Sequence, residues 1–151
     1  MIEIYKSKRL LIYTGKTHFE CPVSLGAAPI GHKQAEGDGR TPEGRYRICT
    51  VNRQSKFCIS LGISYPGTRD AVQAFRAGKI RLLPAAAIAA LNLLRMRPLW
   101  NTPLGGFVML HGESPDGKKG DWTQGCIALS NADIKTLASL CGKGERVNIY
   151  P

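Results

Sequence analysis

Apolar and polar positions alternate from the first residues onward. Ile2 and Ile4 flank Glu3 in "IEIYK", and "RLLIYT" follows after only Ser7 and Lys8, so two short strands joined by a tight turn are predicted. "FECPVSL" reads as a third strand after the turn-like "GKTH". The alternation then stops. Residues 26–46, "GAAPIGHKQAEGDGRTPEGRY", hold five glycines and two prolines and read as one long loop. A loop of that length inside a compact domain is usually functional or disordered. Strand character returns in "YRICTV" and "FCISLGISY", with turn chemistry in "YPGTRD" after them.

The middle of the chain changes period. "TRDAVQAFRAG" offers Thr68 or Asp70 as an N-cap and Gly78 as a stop, and "PAAAIAALNLLRM" places Pro84 in a first helical turn. Two helices are expected there. "GGFVMLHG" reads as a buried strand ending at His111, and "GCIALS" as another beginning at Cys126. "NADIKTLASLCGKG" reads as a helix capped by Asn131, with Asp133 in its first turn and Gly142 or Gly144 ending it, and "RVNIYP" as a last strand. The pattern gives a mainly β fold with α insertions, built as one domain over residues 1–151, without repeats or linkers.

Composition refines this picture. Hydrophobic residues make up 43 % and charged ones 21 %, as in an ordinary globular protein. Lys and Arg outnumber Asp and Glu by 21 to 11, for a net charge of +10. The basic residues fall in ones and twos along the chain. That distribution fits a basic solvated surface suited to an anionic polymer and does not indicate specific nucleic-acid binding. The five cysteines show no zinc-ligand spacing, and no metal or organic cofactor is expected. Cys21, Cys49 and Cys58 sit among β-prone apolar residues and read as small buried hydrophobes. No secretory signal is read in "MIEIYKSKRLLIY", and the longest apolar run, residues 84–94, is too short for a transmembrane segment.

Cys126 differs from the other cysteines, because Gly125 precedes it and polar residues lie just upstream. Neighbouring strands ending at His111 and beginning at Cys126 would bring an imidazole toward a thiol, the arrangement used in nucleophilic acyl transfer. Gly125 lacks a Cβ, so backbone can approach a substrate carbonyl, and the amides of Gly125 and Cys126 are candidate oxyanion donors. On spacing alone the signal is weak, because a lone Cys and a lone His in a globular domain are more often structural. His32 reads as a solvated loop histidine and His18 as a surface one. Asp38, Thr41, Pro42 and Glu43 either shape a groove or do ordinary loop work, and Trp122 either walls a groove or packs the loop.

"HGESPDGKKGDWTQGCIALSN" resembles the signature of the L,D-transpeptidase catalytic domain of the YkuD type: a His-Gly pair followed by Ser/Thr-x-Gly-Cys. "VSLGAAPIGHKQAEGDGRTPEGRYRI" is similar to the same family's Gly-Asp-x-x-Thr-Pro-x-Gly-x-Tyr stretch, and the likeness runs over nearly the whole chain. The resemblance implies a β-sandwich of mixed sheets with a helical insertion and a helix after the catalytic cysteine. It further implies a cysteine acyltransferase acting on peptidoglycan stem peptides, with Cys126 as nucleophile, His111 as base and Gly125 in the catalytic turn. Cys126 would attack the carbonyl on the L-centre of the diamino acid and expel terminal D-alanine. An amine or water would then resolve the thioester. Thr123, Gln124, Trp122, Gly112, Asn131 and Arg97 are the implied substrate-facing positions. The implied location is the periplasm or cell envelope, although unpaired cysteines also suit a reducing cytoplasm.

Two positions depart from the family's common pattern, Gln124 where many members have histidine and Ala128 where many have arginine. The T-x-G-C-I-A-L subgroup resembles this chain better, and it implies hydrolysis or release of a wall-linked protein as an alternative outcome. Arg97, Arg69 or Lys118 would then anchor a substrate carboxylate in place of the missing arginine. A non-catalytic basic module binding cell wall or nucleic acid is the alternative of another class.

Overall fold

The first and last strands of the chain lie side by side. In the computed structural model, which describes all residues from Met1 to Pro151, β1 (Ile2–Tyr5) pairs in parallel with β8 (Arg146–Tyr150) and antiparallel with β2 (Leu10–Thr14). With β3 (His18–Pro22), β4 (Gly44–Ser55), β5 (Cys58–Ile63), β6 (Met109–His111) and β7 (Ile127–Ala128) they form one mixed sheet of order β3-β2-β1-β8-β4-β5-β6-β7.

β4 is the hinge of this sheet. Its first residues, Gly44 to Arg47, pair with β8, and from Ile48 onward it pairs with β5. Register shifts after Ile48 and after Asn52 strengthen the local twist, as bulges do, and the sheet curls. The curl brings its two outer strands together. Beyond β3, Ser24 and Ala128 exchange two backbone hydrogen bonds of 2.8 Å, and Gly26 bridges to Thr123. The outer edge of β7 is thereby paired at Ala128. Side chains from both halves of the curl meet in one cluster of 22 buried residues, including Ile4, Leu11, Ile48, Leu61, Leu110 and Ile127, together with Ile134 and Leu137.

Between β5 and β6 lies the helical insertion, α1 (Thr68–Arg76) and α2 (Leu82–Leu93), which builds its own small core from Ala71, Ala74, Ile80, Ala85, Ile88 and Leu104. The expected cap of α1 is shifted by one residue. Gly67 is the N-cap, and the Asp70 carboxylate reaches back to accept its N–H at 2.7 Å. The same carboxylate accepts the Tyr46 hydroxyl at 3.1 Å and lies 3.2 Å from His32 Nε2. His32 Nδ1 accepts the Glu43 amide at 2.9 Å, so its proton sits on Nε2 and faces Asp70. His32 is therefore a half-buried tie between loop and insertion, not the solvated residue its sequence context suggests.

The long loop is ordered by such ties. Lys6, 2 % exposed, donates to Gly31 O, Thr41 O and Glu43 Oε1, and Thr41 Oγ1 accepts the Gly26 amide. Asp38 accepts from Lys33 Nζ and from the amides of Gln34, Ala35 and Arg40. Burial pushes the Asp38 carboxyl up, but the Lys33 ammonium and these three amides outweigh it and hold its pKa down at about 2. A carboxylate depressed in the folded state adds stability above its ordinary range and loses it as pH falls toward the folded value. Asp38→Asn is expected to cost about 2 kcal/mol at pH 7. Urea unfolding of parent and variant should give curves that converge between pH 4 and pH 2; a gap that stays constant with pH would contradict this account.

Candidate active site

Strands β6 and β7 run parallel, with Leu110 opposite Ile127 and His111 opposite Ala128. Extending that register by one residue sets Cys126 opposite Met109. Side chains alternate between faces along a strand, so Cys126 and His111 share the face opposite the fully buried Leu110 and Ile127. One strand spacing across and two residues along separate their Cα atoms by about 8 Å, within reach of a thiol and an imidazole. Residues fifteen apart in sequence are thus brought to one place by strand pairing.

His111 is held from three sides. Its Nδ1 lies 2.7 Å from the Gly112 carbonyl, which can only accept, so Nδ1 carries the proton and Nε2 is the bare nitrogen. Phe57 stacks on the ring at 4.4 Å, and Trp122 meets it edge-on at 5.6 Å. Burial pushes the His111 pKa below its ordinary value, against an opposing effect of the Gly112 carbonyl, and the ring is neutral at pH 7. The Cys126 thiol approaches Phe107 O at 3.5 Å. Burial pushes its pKa up, while a hydrogen bond from the Met109 amide and the charge of Lys33 pull it down. The resting pair is a neutral thiol beside a neutral imidazole, and the proton has to move during reaction.

The turn before Cys126 is closed by Thr123. Its hydroxyl donates to Cys126 O at 2.7 Å and accepts the Gly125 amide at 3.1 Å. This corrects two expectations. Thr123, 4 % exposed, is buried inside the turn, with its hydroxyl turned to the backbone of Gly125 and Cys126. The Gly125 amide is already engaged and is not free to hold an oxyanion. The Cys126 amide donates to no protein group. Gly125 itself is required sterically, because its φ is +122° and a Cβ there would lie 2.5 Å from Arg40 O.

The remaining expected positions divide. Gln124 is exposed beside Cys126 and makes no hydrogen bond within the protein. Trp122 packs on His111 and also lines a cleft of about 560 Å³ with Lys56, Glu113, Lys118 and Asn131. Asn131 does not cap α3 (Asn131–Leu140); Ser130 does, accepting the Asp133 amide at 3.0 Å. Asn131 Oδ1 instead accepts the Glu113 amide at 3.1 Å. Gly112 is buried, and a Cβ there would meet Asn131 Oδ1 at 2.3 Å, so its side faces protein. Arg97 lies 5.0 Å over the Trp100 ring, and Trp100 packs on Phe107, which places Arg97 two residues away from the sulfur. Ala128 is buried, bridges through its backbone to Ser24 and lines the same cleft of about 560 Å³.

Sequence reasoning missed Lys33. It is 3 % exposed, and its Nζ lies 3.6 Å from the position of a Cβ on Gly125. Its only visible signal in the sequence was a cation inside a glycine-rich loop otherwise read as solvated.

A family model described as the L,D-transpeptidase catalytic domain matches residues 1–149. Among solved structures, the helical cell shape determining protein Pgp2 of Campylobacter jejuni matches with TM-score 0.67 and 22 % identity, over 98 % of this chain and 46 % of that one. An L,D-transpeptidase of Xylanimonas cellulosilytica matches with TM-score 0.51 and 17 % identity, over 99 % of this chain and 59 % of that one. L,D-transpeptidase 3 of Mycobacterium tuberculosis, in complex with a faropenem-derived adduct, matches with TM-score 0.53 and 13 % identity, over 99 % of this chain and 59 % of that one. The chain spans about half the length of these structures. They share its mostly β architecture, a curled mixed sheet with helices. Curated protein sequences give no match.

Proposed function

Because the chain belongs to the L,D-transpeptidase catalytic-domain family, we propose that it is a cysteine acyltransferase acting on peptidoglycan stem peptides in the cell envelope. Cys126 is the nucleophile and His111 the base. The observation that carries this reading is the His111 tautomer. The Gly112 carbonyl fixes the proton on Nδ1, which leaves Nε2 able to take the thiol proton as sulfur attacks. The same proton then protonates the departing D-alanine amine. A preformed thiolate is not required, in keeping with the raised Cys126 pKa.

The carbonyl attacked is that on the L-centre of the diamino acid in a tetrapeptide stem, and the product is a Cys126 thioester. Gln124 is exposed two residues before Cys126, and Trp122, whose ring meets that of His111, also walls the cleft that Asn131 lines. Incubation with a tetrapeptide-stem muropeptide tests the reading. Loss of D-alanine, a Cys126 adduct of stem mass and amine-exchanged products are expected, and all three should vanish in Cys126→Ala. Trimmed stems without exchange would mean that water resolves the thioester, and turnover retained by Cys126→Ala would refute the nucleophile.

A further inference from the structure

Two lysine ammonium groups are almost fully buried in this structure, and they differ in one respect. Lys6 Nζ has three acceptors: Gly31 O at 2.6 Å, Thr41 O at 3.2 Å and Glu43 Oε1 at 2.7 Å. Each of its three N–H bonds is matched. Lys33 Nζ has only two, Ala35 O at 3.0 Å and Asp38 Oδ1 at 2.9 Å. One donor of a buried cation is therefore left without a partner, an arrangement that is costly unless something else completes it.

The position of that ammonium indicates what completes it. The Lys33 stem runs between two glycines of positive φ, with Cε 3.4 Å from a Cβ placed on Gly105 and Nζ 3.6 Å from one placed on Gly125. Adding one Cα–Cβ bond leaves Nζ within about 5 Å of Gly125 Cα, and only the Gly125 carbonyl carbon separates that atom from the Cys126 amide nitrogen. The Cys126 amide has no acceptor in the protein, and the Gly125 amide is consumed by Thr123. The turn therefore offers a reacting carbonyl the Cys126 amide as a backbone donor, and the buried ammonium beside it holds an N–H that no protein group takes up.

We propose that Lys33 is the second donor to the oxyanion formed when Cys126 attacks a carbonyl. This rests on Cys126 as the nucleophile. In the attack, the sulfur–carbon bond forms, the thiol proton passes to His111 Nε2, and the carbonyl π pair retreats onto oxygen. That oxygen accepts hydrogen bonds from the Cys126 amide and from the free N–H of Lys33 without taking a proton. Collapse re-forms the carbonyl, breaks the carbon–nitrogen bond and returns the proton from His111 to the leaving amine. A charged donor is about twice as strong as a neutral one, so the ammonium makes up for the engaged Gly125 amide. Asp38 anchors the cation from behind, and the charge of Lys33 also acts on the sulfur, as its effect on the Cys126 thiol indicates.

Two small reagents separate stabilisation of an oxyanion from stabilisation of a thiolate. 4-Nitrophenyl acetate acylates sulfur through a tetrahedral oxyanion; iodoacetamide alkylates it by displacement, with no oxyanion. Rates at Cys126 are followed by peptide mass across pH, so that each is compared at equal thiolate fraction. Lys33→Met is expected to slow acetylation by about 100-fold or more and to change alkylation by less than about 3-fold. Equal losses in both reactions would overturn the proposal, leaving Lys33 as a group that acts on the thiol or on the fold alone. Should Lys33→Met fail to fold, Lys33→Arg keeps the charge and moves the donors, and the same unequal loss is expected; its absence overturns the proposal. Acetylation at wild-type rate in Cys126→Ala would instead remove the nucleophile itself and is recognised by the site of the adduct.

Discussion

Glutamine in place of His111 is expected to slow Cys126 acylation about 1,000-fold at pH 7, because the resting thiol keeps its proton and has no other base. Burial holds the thiol above and the imidazole below their ordinary values, so the two groups do not form an ion pair at rest. The pH profile carries the more telling expectation. In the parent, the rate should fall only as His111 becomes protonated, on an acid limb below pH 6.5, since that is its ordinary value and burial lowers it. In His111→Gln that limb should disappear, and the residual rate should climb with hydroxide toward a thiol ionisation above pH 9. Stopped-flow acylation between pH 5 and pH 10 checks both. An acid limb that survives in the variant would assign the base to another group.

Gly125→Ala should be nearly as damaging to activity and more damaging to the fold. Two penalties coincide there: a φ of +122°, which side chains other than glycine adopt only under strain, and a Cβ placed 2.5 Å from the Arg40 carbonyl. Backbone cannot swing aside as a flexible side chain can, so the loop and the nucleophile turn would have to part. The expected loss is about 3 kcal/mol, or about 10 °C in Tm. Gly37 supplies the control. It also has positive φ, at +76°, but nothing lies within 4 Å of its Cβ position. Gly37→Ala should therefore show the conformational cost alone, about 1 kcal/mol with full activity. Thermal melts of equal size for the two variants would mean that close approach at Gly125 contributes nothing.

Most of the architecture was legible because it is local. Alternation in "IEIYK" and "RLLIYT" gave β1 and β2, and the Ala- and Leu-rich middle gave α1 and α2. Errors at helix starts were of one residue and had a common cause. Gly67, Thr68 and Asp70 can all cap, as can Ser130 and Asn131, and tertiary partners decide among them: Asp70 is drawn to Tyr46 and His32, and Asn131 to Glu113. The proposed pair, His111 and Cys126, stood out by its motif, whereas the electrostatics around it did not. Whether a histidine lies in a basic or a desolvated place depends on Phe57, Trp122 and Gly112 around it. Lys33 was invisible for the same reason, since its meaning comes from Gly125, far along the chain. The fate of the Gly125 amide was likewise set by where the Thr123 hydroxyl turns, which no residue type specifies.

The placement of β8 bears on how this chain comes into being. A ribosome releases residues 146–150 after all the others of the sheet, yet they occupy its middle, between β1 and β4. Until they emerge, β1 and β4 each expose an unpaired rim, and the nascent polypeptide waits with its barrel-like curl open, vulnerable to sticking and to proteases. Final closure is thus a late, long-range event, of the kind that folds slowly and that chaperones guard.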